Sequence, residues 1–183
     1  MNTFLSLAAG LTLAVLPACT TDSAADDQAA SQANPKASSR PAPAPAAAAS
    51  QLKGFHTNIE RATLANRSFR RVLYTGGHLQ LVLMSLKPGE EIGSEVHKNH
   101  DQFFRVEGGS GQCVINGHSY EVTDGDVIIA PAGSTHNVIN TNAAKPLQLY
   151  TLYAPPQHRN GVVQATRQEA AQHEAPFDGN TSE

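Results

Sequence analysis

Turn signals come too often between positions 52 and 155 for this chain to build its core from long helices. Gly76-Gly77, Lys87-Pro88-Gly89, Gly108-Gly109-Ser110-Gly111, Asn116-Gly117, Asp124-Gly125, Pro131-Ala132-Gly133 and Pro155-Pro156 cut the segment into short pieces. Glycine interrupts by reaching left-handed backbone, and proline by fixing φ and lacking an N–H. The pieces at 69–73, 79–86, 103–106, 127–129 and 147–153 read as strands. Asn-Gly at 116–117, between strand-like flanks, predicts a hairpin with a type I′ turn. Many short strands at regular spacing, with no helix between them, predict an all-β antiparallel sandwich or barrel. In 79–86 both faces are apolar, with Leu79, Leu81 and Leu83 on one and Val82, Met84 and Leu86 on the other. Such a strand belongs inside a sandwich or at a subunit contact, which leaves room for a homodimer.

The full chain has 183 residues. One core takes about 100–200 residues, so the chain holds a single domain with appendages. A net charge of −3 provides no basic surface for nucleic acid. Residues 4–18 are apolar, but shorter than the ~20 residues needed to span a bilayer. They end at Leu16-Pro17-Ala18-Cys19, which resembles the lipobox of bacterial lipoproteins. That resemblance implies a signal peptide over 1–18, cleavage before Cys19, and lipid on the cysteine. Pro17 and an n-region without Lys or Arg depart from the pattern. The alternative is an ordinary cleaved secretory signal. Either way the domain is expected to be exported, lipid-anchored in the cell envelope or periplasmic. Thr20 after the cysteine, by resemblance, favours a Gram-negative outer membrane, and contact with the membrane runs through the lipid alone. Residues 19–51 are rich in Ala, Pro and Ser and lack hydrophobic periodicity, the composition of a disordered linker. The domain itself is expected over 52–156. A tail follows over 157–183, with one short helical candidate at 167–174.

The chemistry concentrates between Gly89 and Asn140, on either side of the hairpin. One stretch carries Glu95, His97 and Gln102 between Gly89 and Gly109; the other carries Gly125, Pro131, Gly133, His136 and Asn140. Residues two apart on a strand share a face, so Glu95 and His97 can reach one ion together. The two stretches resemble the paired motifs of the cupin superfamily, jelly-roll β-barrels that hold one metal ion near the centre. In that pattern the first motif normally reads His-x-His followed by Glu. Here Glu95 takes the first histidine's place and Gln102 the glutamate's, while the second motif matches at its defining positions. The resemblance therefore implies a ligand set of Glu95, His97, Gln102 and His136. Two imidazoles and one carboxylate suit one divalent transition metal, Fe, Mn, Ni or Zn, and Gln102 adds a neutral carbonyl oxygen.

Other residues fall around this set by strand parity. Phe104 shares its face with Gln102, and Arg105 points away. Tyr150 and Tyr153 lie on opposite faces of the last strand, so at most one can serve as a proton donor in the cavity. His100 is expected in solvent, and His56, His78, His118, His158 and His173 at the surface or in turns. Cys113 reads as a buried free thiol. Two functions fit these residues: a mononuclear-metal enzyme acting on a small molecule, of dioxygenase, isomerase or lyase type, or a non-catalytic module of the envelope that binds a small ligand.

Overall fold

The computed structural model describes residues 52–183. Cys19, the signal segment 1–18 and the whole linker 19–51 lie outside the described residues. The elements in order are α1 (Ile59–Ala65), β1 (Arg70–Thr75), β2 (Gln80–Leu86), β3 (Glu95–Val96), β4 (Gln102–Gly108), β5 (Ser110–Ile115), β6 (His118–Thr123), β7 (Val127–Ala130), β8 (Thr135–Ile139), β9 (Leu147–Tyr153), β10 (Val163–Gln164) and α2 (Arg167–Gln172). They form a six-stranded sheet, ordered β10-β1-β2-β9-β4-β7, and a four-stranded sheet, ordered β3-β8-β5-β6. All the strand pairs are antiparallel, as the jelly-roll expectation requires. The core between the sheets holds Val82, Met84, Leu86, Phe104, Val106, Val138 and Leu149. Cys113 belongs to the same core as a free thiol, and burial pushes it up to about 11.

The 116–117 turn forms as expected: Asn116 and Gly117 both have positive φ and join β5 to β6. Gly109 is a glycine that the fold cannot replace. Its φ is +89°, and a Cβ there would collide with the Pro146 carbonyl oxygen. It lets β4 pass directly into β5, so that one ribbon crosses from the larger sheet to the smaller.

Two elements depart from the sequence reading. The stretch before β1 forms a helix, α1, capped by the Asn58 side chain accepting from the Arg61 N–H. It packs on β2, β4 and β9. That cover explains why β2 can be apolar on both faces within a single chain. Gln148 of β9 fastens the end of the helix, its amide donating to the carbonyls of Thr63, Leu64 and Asn66. The second departure is the tail. Its strand β10 joins the larger sheet beside β1, and Gln80 of β2 holds the backbone at His158 from both sides: Gln80 Nε2 donates to His158 O, and His158 N donates to Gln80 Oε1. The helical candidate forms as α2, with Thr166 accepting from the Glu169 N–H. Among the described residues no helix is long and apolar enough to cross a membrane.

Candidate metal centre

Glu95 and His136 are direct partners across the β3–β8 pair, so their side chains rise from adjacent points of one face. The segment before β3 is zipped to β8 as well, through Gly89 N to Asn140 O, Asn140 N to Glu90 O and Ile92 N to Val138 O. The loop after β3 is held by the turn that precedes β8. Gly133 N donates to His97 O, and Ala132 N donates to the Asp101 carboxylate. The proline-glycine turn of the second stretch therefore fixes the backbone at the histidine of the first. Gln102 arrives from the larger sheet, opposite Ala130 of β7. It is 1% exposed.

These placements bring one donor atom each from Glu95, His97 and His136 within 4.8 Å of one another. Glu95 Oε2 stands 3.4 Å from His97 Nε2, yet that nitrogen is buried without a hydrogen-bond partner. Burial pushes the Glu95 carboxyl up, but the neighbouring His97, then Arg70 and His136, outweigh it and hold it below the usual carboxylate range. His136 is pushed down by burial, so its ring is neutral near pH 7. Its Nδ1 lies 3.3 Å from Ser134 O, a carbonyl that can only accept. In the tautomer that donates to this carbonyl the proton sits on Nδ1, and Nε2 presents a lone pair. Facing that lone pair at 3.0 Å is Gln102 Oε1, while Gln102 Nε2 donates to Thr151 Oγ1. In that tautomer the two acceptors have no proton between them, and a shared cation would reconcile them. Neighbouring donors on one transition ion, each ~2.1 Å from it, stand about 3 Å apart. The donor set fits a metal, and second-side orientation of His136 by a carbonyl is how such ligands are usually held.

Around the donors, Phe104 meets the His136 ring edge-on at 5.9 Å, as its parity predicts. Arg105 points away, paired with Glu107 at 3.1 Å. The tyrosine alternative resolves through the same rule. Tyr153 is buried beside the site, edge-on to His97 at 5.8 Å. Tyr150 lies on the opposite face against Phe103. Burial, and then the charge of Glu95, push the Tyr153 hydroxyl up, so it stays a neutral phenol.

Two histidines correct the sequence reading. His158 is not a surface residue. Its ring packs edge-on to Tyr153 at 5.1 Å, and burial lowers it to about 4. The Gln80 clamp on its backbone carries it there, and no spacing in the sequence could have indicated a residue just after Pro155-Pro156. His100 is not free in solvent either. Its ring stacks on His97 at 4.7 Å, with Nε2 buried and unpartnered, and burial pushes it down. The loop bends back over the site because Asp101 is tied to the Ala132 N–H.

A cavity of about 820 Å³ opens beside the donors. Glu95, His97, Arg70 and His158 line it, and the tail closes one side through α2 and Ala175-Pro176. The sequence reading missed Arg70. The one available signal was two successive arginines within a predicted strand, since alternation turns one of them inward.

Comparison with known proteins agrees with this geometry. The family profile described as Cupin domain matches residues 82–153. The uncharacterized protein YrkC of Bacillus subtilis is 49% identical over 125 residues, which cover 64% of this chain and 66% of that protein's length. An uncharacterized protein of Acanthamoeba polyphaga mimivirus is 37% identical over 123 residues, covering 66% of this chain and 77% of its own. Among solved structures, BH2720 from Bacillus halodurans superposes with a TM-score of 0.64 at 46% identity, over 67% of this chain and 97% of that one.

Proposed function

Because this chain belongs to the cupin family, we propose that it is a mononuclear-metal enzyme whose ion is held by Glu95, His97 and His136, with Gln102 as a fourth, neutral ligand. The observation that carries this reading is the convergence of three donors within 4.8 Å at the wall of an 820 Å³ cavity. Cavities of about 300–1,000 Å³ take small organic molecules. A divalent Fe, Mn, Ni or Zn ion would supply Lewis acidity there, polarising a substrate oxygen. The chain's own residues do the rest. His97 and His136 give nitrogen donors, and Glu95 leaves the ion a net charge of about +1, by the count of one carboxylate against a divalent ion. Phe104 and Tyr153 keep water from the buried side, and Tyr153 stays a neutral phenol beside Gln102.

The test is metal analysis of protein purified without a histidine tag, followed by oxygen uptake and product analysis on phenolic and dicarbonyl compounds. One ion per chain and turnover that is lost with a chelator are the expected results. Protein that takes up none of the four metals at micromolar concentration would sink the proposal and leave a ligand-binding barrel.

A further inference from the structure

Arg70 is the one cation of the cavity wall with no ion-pair partner among the described residues. The Arg/Lys ion pairs among the described residues are Arg105–Glu107, away from the cavity, and Arg167–Glu91, while Glu95 stands against His97. Of the other acidic residues on the wall, Glu90 is engaged by the Lys87 N–H, and Glu174 is exposed on the tail. The Arg70 guanidinium is nonetheless held in place. Its Nη1 donates to Gln164 Oε1 at 3.0 Å, and Gln164, 2% exposed, is itself fixed by donating to His173 O at 2.7 Å. The tail therefore orients the arginine through β10. Nε, in contrast, is buried and has no acceptor. A desolvated, charged donor without a partner is uncommon in a folded protein and calls for an explanation. The Nε side of the fork is the edge on which Nε and Nη2 can take a carboxylate together.

We propose that Arg70 is the carboxylate-binding residue of this cavity, so the small molecule taken there is an organic anion. Its acid group docks on the Nε edge of the guanidinium, and the rest of the molecule extends towards Glu95 and His97. The proposal rests on the reading of the cavity as the substrate site of a metal protein. It adds the substrate's chemical class. The apolar side chains of Phe69 and Ile92 on the same wall suit a hydrocarbon or aromatic body behind the acid group. Gln164 acts as a positioning residue. It leaves one nitrogen of Arg70 occupied and thereby fixes which edge faces the ligand.

The probes are benzoate and its neutral isostere benzamide, titrated by calorimetry or NMR into the full chain, both chelator-treated and Zn-loaded. Wild type is expected to prefer benzoate by about tenfold or more in both forms, as a charge-assisted bidentate contact implies. Arg70→Met should abolish the preference. Arg70→Lys keeps the charge and the stem but loses the planar fork, so most of the preference should go while the melting temperature holds; this variant decides if Arg70→Met fails to fold. Equal binding of benzoate and benzamide to wild type, or an undiminished preference in Arg70→Lys, would overturn the assignment. The metal-free arm separates two failures. A chain that binds no metal can still show the benzoate preference, and a metal-loaded chain without that preference refutes the role of Arg70 alone.

Discussion

The two ends of β9 both bury polar side chains, and they treat them in opposite ways. At the Leu147 end, Gln148 donates to three carbonyls of α1 and its cap. Asn140, fully buried nearby, donates to Leu86 O and Lys145 O and accepts from Asn142 N. These networks close on themselves, and they hold a helix and a loop against the barrel. At the Tyr153 end, Arg70 Nε and the Nε2 atoms of His97, His100 and His158 have no hydrogen-bond partner, four of the five such buried side-chain atoms among the described residues. A buried donor or acceptor without a partner costs about 1–3 kcal/mol. The Leu147 end leaves only Thr63 Oγ1 open among the described residues and the Tyr153 end leaves four atoms open, the pattern expected of an end that takes a ligand.

The largest expected effect tests that contrast at its centre. His97→Ala and His136→Ala should each lower metal affinity by more than about 100-fold, because loss of a direct ligand exceeds the 10–100-fold cost of losing its outer partner. Metal content after dialysis, with circular dichroism to confirm folding, measures it. Retained metal in both variants would make the open end an unusual core and nothing more.

Acid should then act on the open end first. The folded-state pKa of His158, about 4, lies below its unfolded value of 6.5. Between those values the unfolded chain binds more protons, so stability is present above pH 6.5 and is lost as pH falls towards 4. The loss reaches up to about 3 kcal/mol at 1.36 kcal/mol for each unit of difference. Denaturant unfolding of metal-free protein at pH 7 and pH 4.5 should show a smaller drop for His158→Gln than for wild type.

The closed end should answer to a different assay. Gln148→Leu leaves the carbonyls at the end of α1 without their donor and should cost about 2 kcal/mol of stability. Its metal content should match wild type. If metal is lost as well, the two ends are coupled and the contrast fails.

Smaller effects sharpen the ligand set. Gln102→Glu places a second carboxylate against the ion and should tighten Mn or Fe by about tenfold, since opposite charges attract strongly in a low-dielectric cavity. It also lowers the ion's pull on a substrate. His100→Ala removes only a ring stacked on His97. No more than about a tenfold change in metal affinity is expected, because weak ring contacts contribute about 0.5–1.5 kcal/mol at most. A larger loss in His100→Ala than in Glu95→Gln would exchange their roles.

Much of the architecture was present in local sequence. Period-two patterning and the Asn116-Gly117 turn act over a few residues, and strands such as β2, β4 and β9 form where that patterning places them. The grouping of Glu95, His97 and His136 was also legible, because they are registered against turn residues that lock the backbone, as Gly133 does at His97. Helix α1 was not legible. Its seven residues carry a weak period of their own, and the helix depends on β2, β4 and β9 beneath it. The positions of Arg70 and His158 were decided later still. Arg70 needs Gln164, 94 positions away, and His158 needs Gln80, 78 positions away. Local propensity determined which segments are strands and where the donors sit along them. Only the closing of the tail over the barrel decided what stands around those donors, because contacts between residues so far apart leave no periodicity for a sequence to display.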